Sequence, residues 1–322
     1  RGDAAAQAAE ASRLRYEAKK LDLFYQVKDA YYDYYYLGQA VAVTDENLRL
    51  LKNVQDVART RYKTSEAGRG DLIRLEVEAG KLGDRLRQLR DMKGPAQAKL
   101  LAAMGMNRRP DLPWPTKVES ARLADANDEP IVKLAQQSSP ALAALDAEAA
   151  ERQKQILLAQ KEYFPDVTVG LTWIDTGPAW HMNPSDSGKD PLIAMVSVNL
   201  PIWWDKLDAG VREARQRHLA ALSRRMAQEN DLVSRIRMAA FQYRDAAGKL
   251  DLYERVLIPR ATEALRLTET GYASGTASFA DLLDAQRVLL EFQLTSRQAK
   301  ADRARRLAML EMLVGRKLDV KE

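Results

Sequence analysis

The sequence contains no cysteine and only two histidines, His181 and His218. Without cysteine the protein has neither a disulfide scaffold nor thiolate chemistry. The two histidines are far apart in the sequence and stand in no metal-ligand spacing. No apolar run reaches the roughly 18 residues that a membrane-spanning helix needs, so the sequence predicts no transmembrane helix.

Catalytic and phosphate-binding motifs are also missing, since G-x-x-x-x-G-K-[ST], G-x-G-x-x-G and G-x-S-x-G do not occur. We therefore expect no enzymatic activity, no metal and no cofactor. The 50 basic and 45 acidic residues are interspersed, which is typical of solvated helix faces and not of a nucleic-acid surface. We predict that the tyrosines of residues 31–36 pack around a tube of helices and do not form a stacking platform for nucleic acid, and we expect no nucleic-acid partner.

The chain carries an internal duplication, which appears when 210 is added to a residue number. This offset places Tyr62 on Tyr272 and Asp71 on Asp281, and it also aligns Gly105 with Gly315. The correspondence covers residues 21–105 and 231–315 without a gap. A constant offset over such a length indicates a repeated structural unit.

Each repeat is predicted to form two long helices joined by a short tip. In the first repeat the helix covers about residues 5–64 and the tip is SEAGRG, followed by Asp71 at a position suited to an N-cap. Asp281 is predicted to cap the equivalent helix of the second repeat, after the tip SGTASFAD. Proline should kink or break the helices at Gly94-Pro95 and at Pro259. After each tip, apolar residues recur at coiled-coil spacing. In the first repeat they are Leu75, Ala79, Leu82, Leu86 and Leu89, and in the second repeat Leu282, Ala285, Leu289 and Phe292.

Residues 165–204 have a different pattern, in which apolar and polar side chains alternate. Val167, Val169, Leu171 and Trp173 share one strand face, and the return segment 192–200 alternates in the same way. This period of two predicts a β-hairpin with arms of about nine or ten residues, the length of a tilted membrane strand. The hairpin alone leaves two alternatives open, a membrane-crossing ribbon and a hairpin packed on a helix of its own chain.

The segment RVLIPRATEALRLTETGYASGTASFADLLDAQRVLLEFQ (255–293) is very similar to the C-terminal segment of the TolC-type outer-membrane efflux family. The resemblance implies a mainly α fold with a β-hairpin, in which long antiparallel coiled-coil helices form the protomer of an α-barrel. The resemblance also implies two transmembrane β-strands and an internally duplicated chain. The first repeat would occupy residues 1–105, an irregular connection 106–139, and the second repeat 140–322, with its β-hairpin at 165–204 and helical hairpin at 205–315.

The resemblance also implies a position in the cell and a set of partners. A homotrimer in the outer membrane would form a passive exit duct for efflux or type I secretion. The duct would contact outer-membrane lipid, a periplasmic adaptor protein and an inner-membrane transporter. The first repeat's β-hairpin would precede residue 1, so we expect the sequence to be N-terminally truncated. The alternative is a soluble coiled-coil scaffold or adaptor with a small β-subdomain.

Functional residues carried over from the resemblance fall into three groups. Aperture and gating residues are Asp281, Asp284, Tyr272, Asp71 and Tyr62, with Tyr272 at the position of a tyrosine that latches the closed state. The basic partner of that latch in some members falls on Ala277, and Arg74 is a candidate substitute charge. The expected adaptor contacts at the tips are Ser65, Gly68, Gly275, Thr276 and Ser278. The expected membrane-interface residues are Trp173, Trp203 and Trp204.

Overall fold

The structure is a computed structural model that describes residues 1–63, 68–107, 110–118, 122–123, 127–178, 180–181, 185, 187–318 and 320–321. It confirms the predicted fold class, long helices with a β-hairpin. The helices are α1 (Gly2–Lys63), α2 (Arg69–Asp91), α3 (Lys93–Ala103), α4 (Asp128–Ser138), α5 (Pro140–Lys161), α6 (Trp204–Leu252), a π turn (Tyr253–Leu257), α7 (Ile258–Ser274) and α8 (Phe279–Val314). The strands are β1 (Arg122–Leu123), β2 (Asp166–Trp173), β3 (Leu192–Asn199) and β4 (Val320–Lys321).

The element boundaries reproduce the duplication. Helix α2 begins at Arg69 and α8 begins at Phe279, which are 210 positions apart. Gly105 and Gly315, which the same offset relates, both have positive φ, at 70° and 89°. A left-handed glycine at the end of a helix allows hydrogen bonds to the last carbonyl groups of that helix. The helices α3 and α8 of the two repeats therefore end in the same conformation.

The chain divides into two compact units. The first contains residues 1–15 and 141–228, and the second contains residues 16–140 and 229–322. These units cut through the long helices α1 and α6, so they divide the chain differently from the predicted repeats. The predicted boundaries at residues 105 and 140 stay a prediction.

In the first unit, the start of α1 packs with α5 and the first part of α6 around small side chains. Ala11, Leu142, Ala144 and Ala221 are buried there. Three of these four residues are alanines, which let helix backbones approach closely. Ion pairs then join the helices at their surfaces: Arg15–Glu148 at 2.5 Å and Arg225–Asp146 at 2.9 Å.

In the second unit, two apolar clusters hold α1 against α8. The first, the tip cluster, contains the buried residues Leu51, Val54, Ala58, Leu75, Ala261, Leu265, Tyr272, Phe279, Leu282, Leu283 and Leu289. The second, the tyrosine–alanine cluster, contains Tyr32, Tyr35, Ala301, Ala304 and Ala308. Large aromatic rings on one helix fill the space left by small residues on the other. Tyrosines of 31–36 are thus packing residues between helices in this unit.

The two proline positions interrupt their helices as predicted. Helix α2 ends at Asp91 and α3 begins at Lys93, so Pro95 lies in the first turn of α3. Pro259 lies in the first turn of α7, directly after the π turn. Proline has no N–H group and its ring clashes with the carbonyl four residues earlier, which explains why both helices are disturbed just before the ring. The π turn itself was not predicted.

Both predicted N-caps are wrong by three residues. The N-cap of α2 is Gly68 and the N-cap of α8 is Ser278, so Asp71 and Asp281 each occupy the third helical position. The Asp281 amide donates to Ser278 Oγ at 3.2 Å, and the Ser278 amide donates to Asp281 Oδ2 at 3.1 Å. The two residues thus satisfy each other's free donors in a capping box, which explains why the helix begins at the serine.

The segment 106–139 was predicted to be irregular throughout, and this is wrong for its second half. Helix α4 covers Asp128–Ser138 and packs against α8. Its buried residues Ile131, Val132 and Ala135 recur at helical spacing, and Asp128 and Glu129 favour its N-terminus. Strand β1 pairs antiparallel with β4 through Leu123 and Val320.

Candidate functional site at the helix tips and the hairpin

Tyr272, in the last turn of α7, is buried beneath an arginine of α1. Arg61 Nη1 donates a hydrogen bond to the main-chain oxygen of Tyr272, and its guanidinium lies 4.9 Å from the centre of the tyrosine ring. Burial raises the pKa of the Tyr272 hydroxyl, with the nearby Asp71 carboxylate adding to the effect. Among the described residues that hydroxyl has no hydrogen-bond partner. The basic group that contacts Tyr272 therefore belongs to Arg61, which no motif in the sequence indicated.

Local hydrogen bonds fix the turn between α7 and α8. Gly275 adopts the left-handed conformation with φ 82°, and the amides of Thr276 and Ala277 both donate to the Gly271 oxygen, at 2.8 and 3.0 Å. Ser278 Oγ donates to Asp281 Oδ2 at 2.6 Å. Hydrogen bonds from the Ser278 side chain and amide lower the pKa of the Asp281 carboxyl.

The predicted tip residues are exposed where the structure describes them. Gly275, Thr276 and Ser278 are exposed in the second tip, and Tyr62 and Gly68 are exposed at the first. Asp71 is half-buried in the first turn of α2. Ser65, also predicted as an adaptor contact, lies outside the described residues.

A groove of about 550 Å³ runs between α2 and α8 next to the tips. It brings together the predicted aperture residues Asp281 and Asp284, and Arg74 lines the same groove. Arg287 bridges it by donating to both carboxylate oxygens of Glu78, at 3.0 and 2.6 Å. This bidentate pair lowers the pKa of Glu78 and raises that of Arg287. The groove therefore carries charges of both signs, and its two aspartates are not an isolated acidic patch.

The β-hairpin presents an uncovered apolar surface. Val169 pairs with Val196 and Trp173 with Leu192, so one face of the sheet carries the apolar side chains of both strands. We call this set the apolar hairpin face: Val167, Val169, Leu171, Trp173, Leu192, Ala194, Val196 and Val198. All eight residues are exposed, and Val169 is 76% exposed. Each strand has eight residues, slightly fewer than the nine or ten predicted.

Tryptophans lie at both ends of this ribbon. Trp173 ends β2, and the exposed Trp203 and Trp204 follow β3 at the start of α6. Tyr163 donates its hydroxyl proton to Asp208, and its ring lies 6.0 Å from that of Trp204. These contacts join the helix before the hairpin to the helix after it. In the part of the chain that the structure describes, no helix is long and apolar enough to cross a membrane.

Residues 131–316 match the family model described as outer membrane efflux protein. The chain belongs to this family. A curated relative, the cobalt-zinc-cadmium resistance protein CzcC of Cupriavidus metallidurans, is 23% identical over 158 residues. That match covers 49% of the chain and 36% of the relative, so the comparison concerns only about a third of the relative's length.

Solved structures of outer-membrane proteins share the fold. VceC of Vibrio cholerae superimposes with a TM-score of 0.84 at 18% identity, covering 98% of this chain and 75% of VceC. The open state of the MtrE outer membrane channel of Neisseria gonorrhoeae gives 0.79 at 21% identity, covering 99% of this chain and 72% of MtrE. The family is one of efflux proteins and not of enzymes, in agreement with the expectation from the sequence.

Proposed function

We propose that the chain is a subunit of an outer-membrane channel that serves as the passive exit duct of a tripartite efflux or type I secretion system. The observation that carries this proposal is the apolar hairpin face. All its side chains are exposed, and no helix of the described residues covers them. A soluble scaffold would bury such a surface against its own helices, because an exposed apolar patch of this size favours association.

The hairpin needs partners to be stable in a bilayer. Strands β2 and β3 pair only with each other in the described chain, so each has one free edge. Unpaired backbone groups cost several kcal/mol each in hydrocarbon, and only a closed barrel removes them. We propose that three subunits pool their strands into one barrel, with the apolar hairpin face toward lipid. Trp173, Trp203 and Trp204 would lie at the membrane interfaces.

The helical tips are proposed to form the periplasmic end of the duct. Asp281 and Asp284 would face the aperture, with Tyr62, Asp71 and Tyr272 at the gate. Ser65, Gly68, Gly275, Thr276 and Ser278 would contact the adaptor, through which the inner-membrane transporter docks. The hydrogen bond from Arg61 to Tyr272 supports a latch here, since it joins the first tip to the second. Its basic group comes from α1, whereas the residue aligned with the family's basic position is Ala277.

Reconstitution of the full-length protein into planar lipid bilayers tests the proposal. We expect trimers in detergent and stepwise conductance after insertion. A protein that stays monomeric and gives no conductance would refute the channel. Vesicle flotation provides a parallel readout, because a membrane subunit floats with the lipid and a scaffold does not.

The aperture assignment has its own test. We expect Asp281→Ala combined with Asp284→Ala to weaken the block of conductance by multivalent cations added from the periplasmic side, since carboxylates at a constriction attract cations. The matched control is Asp22→Ala with Asp231→Ala, which removes two carboxylates away from the tips. Equal block in both double variants would remove Asp281 and Asp284 from the aperture.

A further inference from the structure

A buried polar layer interrupts the seam between α1 and α8. Asn47 Nδ2 donates to Gln293 Oε1 at 2.9 Å, and Gln286 Nε2 donates to the main-chain oxygen of Asn47 at 3.1 Å. Thr44, one turn earlier on α1, is also fully buried. Within the described chain, Thr44 Oγ1 and Asn47 Oδ1 have no hydrogen-bond partner. We call Thr44, Asn47, Gln286 and Gln293 the polar layer.

On α1, the polar layer lies between the tip cluster and the tyrosine–alanine cluster, whereas on α8 Gln286 lies between Leu283 and Leu289 of the tip cluster. On α1, the tip cluster begins at Leu51, and the tyrosine–alanine cluster ends at Tyr35. Buried polar residues in a coiled coil fix the register of the helices but reduce their stability. A buried polar group without a hydrogen-bond partner is destabilising, so the layer is a weak point in an otherwise apolar seam.

The second repeat is irregular at the same level. Adding 210 to Val43 and Asn47 gives Tyr253 and Leu257, the bounds of the π turn. The π turn faces the part of α8 that carries Gln293, because the Tyr253 ring lies 5.4 Å from that of Phe292. Ser296 Oγ also donates to Glu254 Oε1 at 3.3 Å. A π turn disturbs the regular ladder of helical hydrogen bonds and is a recognised place for a helix to bend.

A third irregularity lies beside the other two. Helix α2 ends at Asp91, and Arg90 donates to Asp45 Oδ1 at 2.9 Å, two residues from Asn47 on α1. The break between α2 and α3 is thus adjacent to the polar layer. Each of these features alone has a local cause, such as Pro95 or Pro259. Together they weaken three neighbouring helical segments along one short stretch of the unit.

We propose that this level, formed by the polar layer, the π turn and the break at Met92, is a hinge at which the tip ends of the helical hairpins bend. The π turn absorbs backbone rotation, and the amide side chains of the layer exchange partners as the helices shift. Most of the tip cluster then moves as one body, because its residues on α1 and α7 all lie on the tip side of the layer and of the π turn. Coupling of this bending to the opening of the aperture rests on the proposed function.

Amide hydrogen exchange of the full-length wild-type protein in detergent tests the hinge directly. We expect amides of residues 43–47, 253–257 and 290–296 to exchange at least about tenfold faster than those of residues 301–308 and 261–272. Equal or slower exchange at the proposed hinge would overturn it. No substitution is involved, so a folding failure does not affect this measurement.

A pair of spin labels across the π turn measures the bending. The chain has no cysteine, so Gly248→Cys and Thr270→Cys place labels at two unique exposed positions. We expect a broad distance distribution in the wild-type background and a narrower one in Asn47→Leu with Gln286→Leu, which replaces two of the four polar side chains of the layer by apolar ones. The control is Gln298→Leu, the same kind of change at an exposed position of α8, which should leave the width unchanged.

Two results would contradict the hinge in this experiment: an unchanged width in the double variant, or equal narrowing in the control. Neither exchange nor label distances depend on conductance. A protein that bends at this level but forms no channel would therefore refute the proposed function and leave the hinge standing.

Discussion

At the scale of single residues, Arg61 holds the end of α7 by two contacts. Its guanidinium donates to the Tyr272 oxygen near the negative end of the helix dipole and also stacks on the tyrosine ring. We expect Arg61→Gln to destabilise the tip by about 1–2 kcal/mol, the size of one charge-assisted contact of this kind. Thermal unfolding of the purified protein provides the measurement.

Tyr272→Phe is the matched control for that variant. It removes a buried hydroxyl that has no partner among the described residues and keeps the ring under Arg61. We expect its stability to equal or exceed that of the wild type. A loss as large as that of Arg61→Gln would mean that the hydroxyl, and not the ring and main chain, carries the contact.

Asp281 makes the start of α8 sensitive to acid. Its folded pKa lies below the ordinary value of 3.8, because the Ser278 side chain and amide donate to the carboxylate. A carboxyl with a depressed pKa stabilises the fold fully above its unfolded pKa, and the contribution disappears as pH falls through the folded pKa. We expect Asp281→Asn to melt at a lower temperature than wild type at neutral pH, and the two curves to converge at acid pH.

Asp71→Asn is the control, since the N-cap of α2 is Gly68, which has no side chain to complete a capping box. The loss in Asp71→Asn should be smaller than in Asp281→Asn. Equal losses in the two variants, or a difference from wild type that persists at acid pH, would contradict the role of the capping box.

The capping box at the start of α8 could be predicted from the sequence, whereas the contact between Arg61 and Tyr272 could not. Ser278 stands three positions before Asp281, which is the spacing of a capping box, so the N-cap of α8 was predictable from SFAD. Asp281 was nevertheless assigned as the cap because aspartate is itself a strong N-cap residue. Arg61 and Tyr272 are 211 positions apart, and no local pattern indicates such a contact.

At the scale of elements, Gly315 closes α8 against the end of α4. A Cβ atom at this position would lie 2.7 Å from both the Ser138 oxygen and Pro140 Cδ, and φ is 89°. We expect Gly315→Ala to destabilise the protein by about 3 kcal/mol or more, because a clash adds to the cost of a left-handed alanine. Denaturant unfolding measures the loss.

Gly105 offers the matched control in the first repeat. Its φ is also positive, but nothing lies within 4 Å of an added Cβ. Gly105→Ala should lower the free energy of unfolding by only about 1–2 kcal/mol, the cost of placing an alanine in the left-handed conformation. If the two alanine variants lost the same stability, the packing of α4 against the end of α8 would contribute nothing.

Helices and strands in which apolar residues recur with a regular spacing were predictable from the sequence. Elements that lack such a spacing were not. The offset of 210 located both tips, and alternation of apolar residues located β2 and β3. Helix α4 escaped prediction because it is short, lies in a segment with several prolines and has Pro130 in its own first turn. The break before Pro259 was predictable from the proline, whereas no period in the sequence indicates that the break takes the form of a π turn.

At the scale of the whole molecule, the two faces of the hairpin should respond differently to charge. Val169 lies on the apolar hairpin face and Thr168 on the opposite one. Arginine on a lipid-facing strand position costs about 2–4 kcal/mol at the bilayer centre, whereas the lumen side tolerates it. If the strands assemble into the proposed trimeric barrel, we expect Val169→Arg to reduce the amount of folded trimer in outer-membrane fractions, measured by heat-modifiable migration on gels.

Thr168→Arg supplies the comparison at the neighbouring residue. Its trimer level should stay close to that of the wild type, since its side chain would point into water. Similar losses in both variants would mean that strand pairing, and not lipid contact, limits assembly. The sequence predicted which residues share each face, but only the structure shows that no helix of the described chain covers the apolar one.

The free edges of β2 and β3 have a consequence for the life of a newly made subunit. Until other strands pair with it, the β-hairpin has two edges of unpaired backbone donors and acceptors next to the apolar hairpin face. Such a combination promotes edge-to-edge aggregation. If the subunit assembles in the outer membrane as proposed, its transit through the periplasm is therefore the hazardous stage of biogenesis. The demand for holdase chaperones should rise with the rate of synthesis and fall once assembly is complete.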